Sequence, residues 1–409
     1  MNKKIVIIPD SFKGTMSSLE VSGTMKKIIQ KEVADAKVFA IPIADGGEGT
    51  LECFSCIKNV SCIKVPAKNA MMQDILAPYI IYDDTAVLET ATVAGFSSDR
   101  SSSNPLVTTT YGLGLLIKDA VKRGARKIII GLGGSCTNDG GAGMAAAIGT
   151  HFYDSDGNEF IPVGGSLSKV ASIDQTDAAK LLDGVEIIGM CDVTNPMYGP
   201  TGAAYVFAPQ KGASPNDVII LDHELQSFEK VIRESLQKEV ASIEGSGAAG
   251  ALGAGICAFL NGQLIKGIDI VLDMIDFDSL IQDAAYVITG EGKFDSQSLH
   301  GKVVSGVCDV AKREGVPVIV ITGMSDVAPE AATELGIKAI FETGPADFTQ
   351  PRKQLHKNCL ETLKKTTQDI CQFINGDVEH ELQDEKSCHL RQLHRKPRRP
   401  ELGQHRCCL

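Results

Sequence analysis

Tryptophan is absent from the 409-residue chain and tyrosine occurs only seven times, so a core must rest on Ile, Val, Leu and Ala. No window approaches the roughly eighteen apolar residues of a membrane span. Met1-Asn2-Lys3-Lys4 is followed by only four apolar residues before Pro9-Asp10, too short a run for a signal-peptide core. A basic excess is also missing. The net charge is −11, which argues against a general nucleic-acid or anionic-membrane surface but leaves individual loops able to bind anions. The twelve cysteines are irregularly spaced, and Cys53-Phe54-Ser55-Cys56 has no second pair at zinc spacing. A chain this long needs no disulfide staples, so a reduced, cytoplasmic compartment is expected, with Cys53 and Cys56 as core residues of a helix.

What is present is a glycine-rich turn. Gly131-Leu132-Gly133-Gly134-Ser135-Cys136-Thr137-Asn138-Asp139-Gly140-Gly141-Ala142-Gly143 follows the β-branched run 126–130 and precedes the small helix-forming residues 144–148. Strand, turn and helix in that order expose backbone N–H groups at a helix N-terminus, where an anion can bind. No Gly-Lys-Ser/Thr follows at the Walker A spacing. Residues 141–146 fit a loose G-x-G-x-x-A, but too far past the strand for a dinucleotide fingerprint. Phosphate is therefore the expected ligand.

In chain order, the strands predicted at 5–8 and 38–41 alternate with helices, the first opened by the capping box Ser17-x-x-Glu20. This is the signature of a doubly wound parallel sheet. From 61 to 84 the strands lack long helices between them. A helix at 113–120, a strand at 185–190, a charged helix at 218–239 and a small-residue segment at 245–255 follow. That last segment reads equally as a packed helix or as a ligand-facing turn. Alternation returns at 286–289, 318–321 and 339–341, ending in a long helix. The expected fold class is α/β. Residues 1–61 plus 283–375 form a discontinuous Rossmann-like domain, and 62–282 form an inserted α/β domain with glycine-rich loops. Residues 376–409 lack apolar periodicity and read as a disordered tail.

In an open α/β sheet, ligands bind beyond the C-terminal ends of the strands. Asp10, Asp45, Glu291 and Asp295 are expected there, beside Lys13, Lys293 and Lys302. Carboxylates for Mg²⁺ next to cations for phosphate are the parts that phosphoryl transfer requires. Asp45, Glu48, Glu291 and Asp295 are the expected metal ligands. Ser11, Gly133, Gly134, Ser135, Thr137, Asn138, Asp139, Asn195, Gly290, Lys293, Gln297, His300 and Lys302 are the expected substrate and phosphate contacts. Asp192 is the candidate general base or metal ligand, with an Asx-turn role as the other reading; Asp10 is the alternative base and Lys13 the catalytic cation.

Ile8-Pro9-Asp10-Ser11-Phe12-Lys13-Gly14, Ala44-Asp45-Gly46-Gly47-Glu48-Gly49-Thr50 and the 131–143 turn resemble blocks of the bacterial glycerate kinase family of the first type. So do Cys191-Asp192-Val193-Thr194-Asn195-Pro196, Pro209-Gln210-Lys211-Gly212-Ala213 and Thr289-Gly290-Glu291-Gly292-Lys293-Phe294-Asp295-Ser296-Gln297. The resemblance runs in order from about residue 3 to 374. It implies ATP and D-glycerate as substrates, Mg²⁺ as cofactor, 2-phosphoglycerate as the favoured product, and a cleft between two α/β domains. No nucleic-acid or membrane partner is expected, and the oligomeric state is left open. Two rivals stand beside it: an NAD-dependent 2-hydroxy acid dehydrogenase, and a non-catalytic sensor of nucleotides or small molecules. The first would want G-x-G-x-x-G on the first strand, where Asp10-Ser11-Phe12-Lys13-Gly14 stands.

Overall fold

The computed structural model describes residues 3–43, 49–57, 60–96, 104–295, 303–376 and 390–391. In chain order the strands are β1 (Lys3–Ile7), β2 (Ala36–Ala40), β3 (Ser61–Lys68), β4 (Asp74–Tyr82), β5 (Thr85–Glu89) and β6 (Lys127–Gly131). They continue with β7 (His151–Tyr153), β8 (Ser172–Asp174), β9 (Glu186–Met190), β10 (Gln263–Ile265), β11 (Ala284–Phe294), β12 (Val318–Ser325) and β13 (Ile337–Glu342). The fold is α/β, built on two large sheets. The first has the order β13-β12-β11-β1-β2, all parallel. The chain winds outward from β1 in one direction and from β11 in the other, so the two strands meet at a topological switch point.

The second sheet has the order β10-β9-β6-β5-β4-β3. Its first four strands are parallel, while β4 and β3 form an antiparallel hairpin, which explains the missing helices between 61 and 84. β7 and β8 form a separate antiparallel pair. Leu390 and Arg391 pair antiparallel with Phe341 and Ile340 on β13, a local departure from a structureless tail. The rest of residues 377–409 lies outside the described residues, as does the Ser-rich stretch 97–103.

The apolar runs alternate their side chains between two buried faces. On β1, Ile5 and Ile7 face one cluster, with Met25 and Ile29 of the Ser18–Glu32 helix and Ile370 of the Arg352–Asn375 helix. Val6 faces the opposite side, with Val287 and Val320. In the second sheet Ile128 and Ile130 pack outward against Leu116 and Ile117 of the Tyr111–Lys122 helix. Ile80, Val87, Ile129, Ile188 and Met190 pack inward, into the same cluster as Val6. Between the two sheets lie Phe54, Ile268, Val271 and Phe277, with Val304 and Val307 of the Val303–Arg313 helix.

One helical layer thus serves as the core of both sheets. Burying each inward residue of the second sheet is worth about 1.5–3 kcal/mol, so five of them approach the whole stability of a domain, about 5–15 kcal/mol.

The small-residue segment is a packed helix that opens on a left-handed turn. Ala248–Phe259 is a buried helix, yet Ala249, Gly250 and Ala251 take left-handed φ values of 54°, 72° and 64°. Gly250 O accepts from Gly140 N at 3.1 Å. A Cβ on Gly250 would lie 2.0 Å from Thr137 O. Only glycine fits here, because backbone rather than a flexible side chain blocks the space.

Two outcomes follow from this packing. Gly250→Ala should destabilise the protein by about 2–4 kcal/mol, from left-handed strain plus overpacking. Gly124, at φ 95° with nothing within 4 Å of its virtual Cβ, provides the control. Gly124→Ala should cost only about 1 kcal/mol, read as a smaller shift of the urea midpoint. Because the middle layer is shared, calorimetry should show one unfolding transition; two resolved transitions would show that the sheets fold independently.

Candidate active site

The C-terminal ends of β1, β6 and β9 converge on a cleft of about 700 Å³ between the two sheets. The loop after β1 brings Ser11, Lys13 and residues 14–17 to one wall. Leu132, Gly133, Gly134 and Ser135, after β6, form the opposite wall with Cys191, Asp192 and Val193 after β9. Ser11, Lys13, Gly133, Gly134, Ser135 and Asp192 are thus brought together as expected. The sheet-edge rule succeeds because parallel strands direct all their following loops to one side.

The second half of the glycine-rich turn does not face the cleft. Thr137, Asn138 and Asp139 are fully buried. The Asp139 carboxylate accepts from Thr109 Oγ1 at 3.3 Å, Thr110 N at 2.7 Å and Thr110 Oγ1 at 2.9 Å. It also accepts from Gly141 N at 3.2 Å and Gly143 N at 3.3 Å, the start of the Ala142–Ile148 helix. Met144 N donates to Thr110 Oγ1. The helix N-terminus expected to hold an anion is therefore capped by the protein's own acceptors. Burial pushes the Asp139 carboxyl above its ordinary range, against the pull of its Thr110 and glycine donors. Its work is to tie the turn to the Tyr111–Lys122 helix. This corrects the expectation that residues 137–139 contact the ligand.

Other expected contacts are also placed away from the cleft lining. Gly290 is a strand residue of β11 whose virtual Cβ would lie 1.8 Å from Ile321 O, so it is a packing glycine. Glu291 is buried in β11 beside it. Asp10 is buried at the switch point, its backbone N donating to Gly290 O at 2.7 Å and its carboxylate accepting from Ser11 N at 2.6 Å. Lys293 is salt-bridged to Asp295 at 3.1 Å and to Asp326 at 3.8 Å, and Asp295 holds its ammonium above the usual lysine range. Asn195 Nδ2 donates to Thr201 O at 2.7 Å and braces its own turn. Asp45, Glu48, Gln297, His300 and Lys302 lie outside the described residues.

Asp192 is exposed, and its Oδ1 accepts from Gly267 N at 2.9 Å, capping the Gly267–Met274 helix. That bond fixes the carboxylate at the cleft wall. Cys191 beside it is buried. Burial pushes its thiol up to about 11, and its Sγ donates to Val193 O at 3.3 Å.

Two cleft cations went unassigned in the sequence. Arg352 opens the Arg352–Asn375 helix and reaches the cleft from the far end of the chain. Lys211 ends the Pro209–Lys211 turn and lines the cleft, although only 2% of its surface is exposed. Its Nζ donates to Ser135 Oγ at 3.2 Å and Thr137 O at 2.7 Å. Burial brings this ammonium down to about 8. The Pro209–Ala213 stretch was visible as a motif; that its lysine turns beneath the glycine-rich turn was not.

Among the described residues, no three His, Cys, Asp or Glu side chains gather to hold a metal, and the cleft carboxylates are Glu52 and Asp192. No described helix is long and apolar enough to cross a membrane.

Comparison with known proteins supplies the family. Residues 5–375 match the model of the glycerate kinase family, so the match stops where the tail begins. A glycerate kinase of Bacillus subtilis (strain 168) is 40% identical over 374 residues, 91% of this chain and 97% of the relative. The glycerate 2-kinase of Escherichia coli (strain K12) is 41% identical over 341 residues, 83% of this chain and 90% of the relative. A crystal structure from Salmonella typhimurium LT2, provisionally assigned as glycerate kinase 2, superposes with a TM-score of 0.80 at 37% identity. That superposition covers 93% of this chain and all of the other. With these relatives matched along nearly its whole described length, the chain belongs to the glycerate kinase family.

Proposed function

We propose that the protein phosphorylates D-glycerate with ATP and Mg²⁺, giving 2-phosphoglycerate and ADP. The observation that carries this reading is the cleft itself. Gly133 and Gly134 allow a backbone approach to phosphate, Asp192 stands at the end of the neighbouring strand, and Lys13 and Arg352 also line the cleft for anionic groups. Phosphoryl transfer needs little covalent help, so positioning and charge stabilisation are what such a cleft must supply. The name of the Escherichia coli relative favours the 2-hydroxyl as acceptor.

In this reading Lys13 takes the glycerate carboxylate or the γ-phosphate. Asp192 orients the attacking hydroxyl and accepts its proton at the carboxylate oxygens. The cap to Gly267 keeps that carboxylate in one orientation. Mg²⁺ binds through one or two carboxylates plus substrate phosphates and keeps several waters, so Glu52 in the cleft lining fits it without a protein-only cage, with Asp192 kept for the proton. When bound, it would neutralise charge on the phosphates. Asp45 and Glu48 remain proposed as further ligands. Glu291 and Asp295 are less suited, the first being buried and the second held by Lys293. A cytoplasmic location is proposed with the rest.

Purified protein should release ADP from Mg-ATP only when glycerate is present, and phosphorus NMR should show the phosphate on the 2-oxygen. No phosphoglycerate at saturating substrates would reject the reading, and a 3-phosphate would correct its regiochemistry.

Asp192→Asn keeps an acceptor for Gly267 N but removes the proton acceptor. It should lower kcat by about 10²–10⁴ with little change in glycerate KM or thermal midpoint. Near-normal kcat, with Asp10→Asn inactive, would move the base to the first strand.

A further inference from the structure

Lys211 is a buried cation whose described partners are all neutral. Its two acceptors are a serine hydroxyl and a backbone carbonyl, and an ammonium has three N–H donors. Among the described residues no carboxylate forms an ion pair with it. Asp139, the carboxylate that acts on it through space, already accepts from Thr109, Thr110, Gly141 and Gly143. A charge taken out of water without a counter-charge is costly, and the usual compensations are an opposite charge or loss of the proton. Here the side chain lies at the wall of an open cleft, at the very residues, 133–135, where backbone can approach a ligand.

Resting on the kinase reading above, we infer that the Lys211 ammonium binds an anionic oxygen of the substrate at residues 133–135, with Ser135 Oγ and Thr137 O aiming it. The oxygen is either a phosphate oxygen of the nucleotide or the carboxylate oxygen of glycerate. The missing counter-charge of the free protein is then supplied by the substrate. Lysine offers a compact point charge with three donors, two of them already used by Ser135 Oγ and Thr137 O.

The proton balance makes this visible without any variant. Burial holds the free ammonium near 8; the titratable groups acting on it are the Cys136 thiol and the Asp139 carboxyl, both from the glycine-rich turn. An anion bound to the charged form draws the pKa back up. Binding near pH 8 therefore takes up a proton, and affinity falls as pH rises through that value.

The test is calorimetry on the whole chain near pH 8 in two buffers of different ionisation enthalpy, with ADP and D-glycerate as separate probes. It is paired with kinetics of Lys211→Met and Lys211→Arg and with their thermal midpoints. Proton uptake with one probe is expected in the wild type and should vanish in both variants. Lys211→Met should lower kcat/KM for that same co-substrate by roughly 10- to 100-fold, the worth of a hydrogen bond to a charged group. Uptake with ADP assigns the phosphate chain; uptake with glycerate assigns the carboxylate. Binding of both probes without proton uptake, or kcat/KM values in folded Lys211→Met within about twofold of wild type for both co-substrates, would overturn the inference. If the wild type forms no phosphoglycerate, the kinase reading falls instead, and proton uptake on binding either probe still decides the role of Lys211.

Discussion

The structure depends on a layer of helices whose apolar surface is shared by both sheets. Val6 and Val287 from one side, and Val87, Ile129 and Ile188 from the other, enter a single cluster with Phe54, Val271, Val304 and Val307. Neither sheet could lose this layer and remain buried on both faces. The connections of β5, β6, β9 and β10 run over the outer face of the second sheet, where the Tyr111–Lys122 and Ala248–Phe259 helices pack. Its inner face is covered by helices that also cover the first sheet. The relative position of the two strand-end loop sets follows from this layer, and so does the cleft.

At the cleft, one glycine-rich turn performs two tasks. Residues 133–135 face the open space. Residues 137–139 are buried and carry the hydrogen bonds that hold the first half in place. The division follows from satisfying polar groups. A helix N-terminus enclosed by other helices needs acceptors, and Asp139 supplies them from within the turn. The rigid half then supports a lysine beneath it and, across the strand ends, an aspartate fixed by a helix cap. Cation and carboxylate are each held by backbone, which keeps the cleft's charge pattern in place without substrate.

The sequence by itself determined the fold class, because β-branched runs such as 128–130 and 318–321 alternate with helices and are buried on both faces in a parallel sheet. It also determined which loops lie at the cleft, since every parallel strand delivers its following loop to the same side. Ser11, Lys13, Gly133 and Asp192 were legible for that reason. It could not determine which residues of a loop point outward. Asp139 and Asn138 have the chemistry of ligand contacts, and only burial beneath the Tyr111–Lys122 and Ala248–Phe259 helices removes them from the cleft. Nor could it show that Lys211 and Arg352, 141 positions apart, meet one cleft. Long-range placement of a side chain depends on how layers stack. Here that was decided by the helical layer common to both sheets, which no local pattern of residues records.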